Sequence, residues 1–85
     1  MNYLITFNRT ARKELQKLEE TVLHKIFPKI EMLGDNPKPV GCRKLQSYEN
    51  LWRIRVGDYR VLYAIEESEK VVDIVAVRHR KEAYK

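Results

Sequence analysis

The stretch LWRIRVGDYRVLY, residues 51–63, leaves few choices of local structure. Two runs of alternating apolar and charged residues flank a Gly-Asp pair, the signature of a tight β-hairpin with glycine at its first turn position. With Gly57 and Asp58 as the loop, Val56 faces Tyr59, Arg55 faces Arg60, Ile54 faces Val61, Arg53 faces Leu62 and Trp52 faces Tyr63. Side chains alternate along a strand, so Trp52, Ile54, Val56, Tyr59, Val61 and Tyr63 share one face. Arg53, Arg55 and Arg60 share the other. Like charges set directly opposite each other destabilise a sheet. The opposed Arg55–Arg60 pair therefore points to an anionic partner.

The remaining chain supplies what such a hairpin needs to pack against. Residues 2–7, NYLITF, read as a strand with Tyr3, Ile5 and Phe7 on one face. Asn8, or alternatively Thr10, is placed to cap a helix whose apolar positions are Ala11, Leu15 and Leu18. A second helical pattern starts at Glu20 or Thr21, runs through Leu23, Ile26, Phe27, Ile30 and Leu33, and stops at Gly34. Pro28 lies within it, removes one backbone hydrogen bond and predicts a kink. Residues 35–39, DNPKP, form a stiff connector. A polar loop, residues 66–70, leads to the last strand-like run, residues 71–77. A loop of three or five residues there keeps Arg60 on the same face as Ile74, Ala76, Arg78 and Arg80.

The pattern is β-α-α-β-β-β: an α+β fold, one small domain over residues 1–85, with two helices on one face of an antiparallel sheet and a basic open face. The place of the first strand within the sheet does not follow from the sequence. With 85 residues there is room for one modest core. The formal net charge of +5 suggests a polyanionic partner. No apolar run approaches the roughly 20 residues of a membrane span, and the N-terminus is unlike a signal peptide, so the expected location is the cytoplasm, with no membrane partner. Cys42 is the only cysteine, and His24 and His79 lack ligand-like spacing. Neither a disulfide, a structural zinc nor any other cofactor is expected.

The same residues carry a resemblance. Lys44-Leu45, the stretch 51–63, and the tail Val77-Arg78-His79-Arg80-Lys81-Glu82-Ala83-Tyr84 resemble the RelE/ParE toxin superfamily, and the likeness covers essentially the whole chain. It implies a toxin of a type II toxin–antitoxin pair. RelE-type members cleave mRNA in the ribosomal A site, whereas ParE-type members poison DNA gyrase. The partners implied are a cognate antitoxin, the ribosome and mRNA, with operator DNA reached only through the antitoxin. RelE-type catalysis is attributed to basic residues on the open sheet face and a tyrosine near the C-terminus; the matching positions are Arg53, Arg55, Arg60, Arg80 and Tyr84. The His-Arg pair followed by a tyrosine resembles the RelE branch. A gyrase poison of the same fold, or a regulatory member acting only with its antitoxin, are the alternatives.

RNA cleavage by 2′-OH attack needs a base, an acid for the departing 5′-oxygen, and cations around the phosphate. Arginine binds phosphate oxygens bidentately and stays charged, so it suits only the last role. The best-known RelE-type enzymes carry lysines at the positions of Arg53 and Arg55, and that departure moves attention to groups that can exchange a proton. The expected catalytic set is therefore Arg55, Arg60, His79, Arg80 and Tyr84. Arg60 clamps the scissile phosphate, Arg80 shares the developing charge and Arg55 positions the backbone. Tyr84 serves as base or base-orienting group, and His79 as acid if the strand ends at Val77. Arg53, Lys44, Arg78 and Lys81 are expected to bind RNA phosphates. Taken alone, arginines alternating along a strand form a solvated face. Trp52 shares the face of Ile54 and Val61 and is read as core.

Overall fold

The computed structural model describes residues 2–81. Its elements are β1 (Leu4–Phe7), α1 (Arg9–Gln16), α2 (Glu20–Met32), β2 (Arg43–Lys44), β3 (Trp52–Val56), β4 (Tyr59–Glu66) and β5 (Val71–His79). Asn8, not Thr10, caps α1: its side-chain oxygen accepts a 2.8 Å bond from the Ala11 amide. Helix α2 continues through Pro28 to Met32 without a break. Its apolar face compensates for the backbone bond that Pro28 removes, since Ile26 and Ile30 are fully buried on either side.

The five strands form one sheet in the order β1-β5-β4-β3-β2. The sheet is mixed, which corrects the expectation of a purely antiparallel one. Strand β1 runs parallel to β5, with Leu4 beside Val71 and Phe7 beside Ile74. The short strand β2, drawn from the segment after the proline-bearing connector, pairs Arg43 with Arg53 and Lys44 with Trp52. The hairpin β3–β4 has the register that its turn dictates, from Val56–Tyr59 to Trp52–Tyr63. Gly57 has a φ of +59°, as a turn with glycine first requires, and Lys70, just before β5, is the one described non-glycine residue with positive φ.

Both helices cover one sheet face. Ala11, Leu15, Ile26, Ile30 and Leu33 pack with Ile54, Val61, Tyr63, Val72, Ile74 and Val77 in a continuous core. Tyr63 is fully buried, and its hydroxyl donates a 2.7 Å bond to the Pro37 carbonyl. That bond pins the connector to the core and satisfies the phenol. Burial above all, then the neighbouring Cys42, pushes the Tyr63 phenol above its usual range.

The β4–β5 ladder contains a bulge. From Tyr63 to Glu66, β4 pairs with Ile74 back to Val71; from Leu62 to Tyr59 it pairs with Ala76 on to His79. Val75 is the extra residue. A bulge changes which residues of a strand face the same side. Ile74 therefore belongs to the core, not to the face of Arg60, whereas Ala76 and Arg78 do lie on the Arg60 face. The connecting loop has four residues, 67–70, rather than three or five. The bulge restores the parity that an even loop would have reversed.

Candidate functional site

The face away from the helices carries a row of three arginines in register on three adjacent strands. Arg55 on β3 lies opposite Arg60 on β4, and Arg60 lies opposite Arg78 on β5. The next row of the same face holds Arg43, Arg53, Leu62 and Ala76. Neighbouring strands are about 4.8 Å apart, so five guanidinium groups share a narrow strip of surface. Such a strip focuses positive potential and suits an extended polyanion.

The three arginines of the main row differ in setting. Arg60 is only 8% exposed, so the face is not uniformly open, contrary to the simple picture of a solvated surface. Arg55 is exposed, and its Nε donates a 3.3 Å bond to the Gly57 carbonyl. Arg78 is half-buried, and its Nε donates to Glu14 Oε2 at 3.1 Å. The opposed charges set around a nearly buried central guanidinium favour the binding of an anion there.

The structure separates the expected site residues. Arg53, Arg55, Arg60 and Arg78 come together. Arg80 follows the end of β5 by one residue and approaches the hairpin turn, its Nε 4.0 Å from Asp58 Oδ1. Its amide donates to the Asp58 carbonyl at 2.7 Å. Arg78, expected to bind phosphate, is the residue directly across from Arg60. Lys81 is exposed just past the strand, where its amide donates to His79 Nδ1 at 3.2 Å. Tyr84 lies outside the described residues.

Two expectations need correction. Strand β5 does not end at Val77 but runs to His79, so His79 keeps strand parity and faces away from Arg60 and Arg78. Its ring stands edge-on to Tyr59, with centroids 5.3 Å apart. It packs on the core side of the sheet, away from the arginine row. Lys44 pairs with Trp52, and so it too points to the helix side at the sheet edge; Arg43, its neighbour, is the β2 residue on the arginine face. Arg43 was missed because residues 39–44 carry no alternation long enough to set a strand register. Trp52 is half-buried against the core as expected, with Lys38 Nζ 4.8 Å from its ring centroid.

Among the described residues, no helix is long and apolar enough to cross a membrane. The profile of the family described as "ParE toxin of type II toxin-antitoxin system, parDE" matches residues 5–84. Toxin RelG of Mycobacterium tuberculosis is 31% identical over 86 residues, spanning 100% of this chain and 99% of its own. The mRNA interferase toxin RelE of Escherichia coli is 28% identical over 88 residues, spanning 99% of this chain and 92% of its own. Among solved structures, a chain of the archaeal RelE–RelB complex from Pyrococcus horikoshii superposes with a TM-score of 0.83 at 28% identity, covering 98% of this chain and 100% of that one.

Proposed function

Because this chain belongs to the RelE/ParE superfamily of type II toxins, we propose that it is a ribosome-dependent endoribonuclease that cuts translated mRNA. The observation that carries this reading is the in-register row Arg55–Arg60–Arg78. The interferase name of the Escherichia coli relative supports it. The family profile is described for ParE toxins, and that description favours the second reading, a gyrase poison of the same fold without nuclease activity.

In the proposed reaction a ribose 2′-oxygen attacks the adjacent phosphorus in line, the P–O2′ bond forms and the P–O5′ bond breaks. Negative charge grows on the non-bridging oxygens. Arg60 and Arg78 face each other across adjacent strands and take those oxygens between them, in a partly desolvated setting where such contacts are strongest. Arg55 and Arg53 hold the neighbouring phosphates and fix the strand's direction. Arg80, beyond the end of β5, shares charge at the rim. Arginine does not give up its proton at accessible pH, so none of these groups is the base. Tyr84 takes the 2′-OH proton on the strength of the family resemblance, and because His79 faces the core side the departing 5′-oxygen takes its proton from solvent water. The ribosome delivers the mRNA and holds the 2′-oxygen in line.

A toxin of this kind is held inactive by an antitoxin protein whose contact covers the arginine strip. The relative from Pyrococcus horikoshii was solved as a RelE–RelB complex, which supports an antitoxin protein as partner. The test is inducible expression followed by mapping of mRNA 5′ ends, with Arg60→Ala and Tyr84→Phe alongside. Cleavage within coding regions that both substitutions abolish supports the reading. Growth arrest with intact mRNA and accumulating DNA breaks would establish the gyrase reading instead.

A further inference from the structure

We infer that Glu14 of α1 is a positioning residue that sets the Arg78 guanidinium against Arg60, an inference that rests on the cleavage reading above. The starting point is the edge of the sheet. Strand β1 pairs with β5 only as far as Ile74, so the upper half of β5 has no strand on that side. Helix α1 lies there. Glu14 Oε1 accepts a 2.9 Å bond from the Val77 amide, and Glu14 Oε2 accepts a 3.1 Å bond from Arg78 Nε. One carboxylate thus binds the backbone of one residue and the side chain of the next.

The position of that carboxylate is fixed from below. The Asn8 cap sets where α1 begins. Ala11 is fully buried and Leu15 is 6% exposed, which sets how the helix is rotated. Glu14 lies three residues after Ala11 and next to Leu15, so its carboxylate is carried to the β5 edge by the core itself. Neither partner is a freely solvated surface ion: the side chains are 25% and 37% exposed. Partial desolvation strengthens a charge-assisted bond relative to a surface pair.

The row explains why such a clamp is needed. Three arginines at neighbouring register positions repel, and the outer ones are free to turn their heads towards solvent unless something holds them. On β3 the weak 3.3 Å bond to the Gly57 carbonyl holds Arg55. On β5 the holder is a full anion. Binding at Nε uses one of the five guanidinium donors and leaves the two terminal nitrogens to form a fork towards a phosphate. Helix α1, which packs through Ala11 and Leu15 on the opposite face of the sheet, thereby sets the geometry of one member of the arginine row.

The test combines ribosome-programmed mRNA cleavage with a double-mutant cycle. Glu14→Gln keeps a carbonyl oxygen for the Val77 amide, so the fold is retained, but sets an NH2 donor that cannot accept against Arg78 Nε. We expect the maximal cleavage rate to fall roughly 10-fold while the toxin concentration at half-maximal rate stays within about 2-fold, since misplacing a transition-state group lowers kcat. In an Arg78→Ala background, Glu14→Gln should cost nothing further. Arg78 Nε–H exchange, followed by NMR without ribosomes, should be slowed in the parent protein and fast in Glu14→Gln. Equal losses from Glu14→Gln in both backgrounds would make its role merely structural and overturn the inference, as would an unchanged rate or unprotected Nε–H in the parent. A parent protein that leaves ribosome-bound mRNA uncut overturns the cleavage reading and this role with it. A parent that cuts while Glu14→Gln cuts equally well overturns the Glu14 role alone.

Discussion

Arg55→Glu should make the protein more stable and less active. The two-residue loop makes Val56–Tyr59 the hydrogen-bonded closing pair, so Arg55–Arg60 is the non-hydrogen-bonded kind with Cα atoms about 4.5 Å apart and side chains close together. A like-charge pair at such a position costs roughly 0.2–1 kcal/mol, and an opposite pair gains a similar amount. Coulomb's law agrees: charges about 6 Å apart at an effective dielectric between 40 and 80 interact by roughly 0.7–1.4 kcal/mol. Reversing the sign at an exposed position, where solvent screens part of the effect, should therefore yield about 1 kcal/mol. With a urea m-value near 1 kcal/mol/M for a chain of this size, the unfolding midpoint should rise by about 1 M. The rise should shrink at 0.5 M salt, where the screening length is only about 4 Å. On programmed ribosomes, mRNA cleavage should fall by about 100-fold, because a carboxylate now repels the backbone phosphates. A destabilised variant, or a gain unaffected by salt, would show that the arginine row is not under electrostatic strain. Undiminished cleavage would remove Arg55 from the site.

The other expectations concern the scaffold. Burial raises the Tyr63 phenol above its unfolded value of 10.0, so the folded state holds that proton more tightly and stability is fully present below pH 10 and lost as pH rises above it. Urea melts between pH 10 and 12 should show a loss approaching 1.4 kcal/mol per pH unit, and Tyr63→Phe should flatten that slope. The same substitution should cost about 1–2 kcal/mol at neutral pH, because the Pro37 carbonyl loses its 2.7 Å donor. Asn8→Ala should cost about 1 kcal/mol through the lost cap on Ala11, a fall of roughly 4–8 °C in Tm by calorimetry.

The sequence was most legible where geometry is local. A two-residue turn with glycine first admits one register, so every pair of the β3–β4 hairpin follows from residues 51–63 alone. The arginine face and the core face of that hairpin follow with it. What lay hidden depends on contacts between distant segments. Nothing in residues 4–7 says that they pair parallel with 71–74, because the partner is at the other end of the chain. The extra residue at Val75 sits in a continuous strand-like run, VVDIVAV, with no glycine to mark it. Nor does the sequence mark where β5 ends, which is why His79 was expected to leave the strand that in fact carries it. Glu14 gave no signal either, since a glutamate between lysine and leucine on an amphipathic helix is ordinarily solvated. Only the docking of α1 against the β5 edge gives it two partners.

The extra residue in β5 also uncouples two demands on one strand. Below Val75, the phase of β5 is set by β1 and the core: Val72 and Ile74 must point inward, and both are fully buried. Above it, the phase is set by Arg60 and by the clamp from α1. A straight strand would force one phase on both halves, and with the four-residue loop 67–70 it would turn Arg78 to the wrong side. With one extra residue between them, the lower half keeps its inward phase while the arginine row stays in line. The core half of the strand and the arginine face thus each keep their own phase.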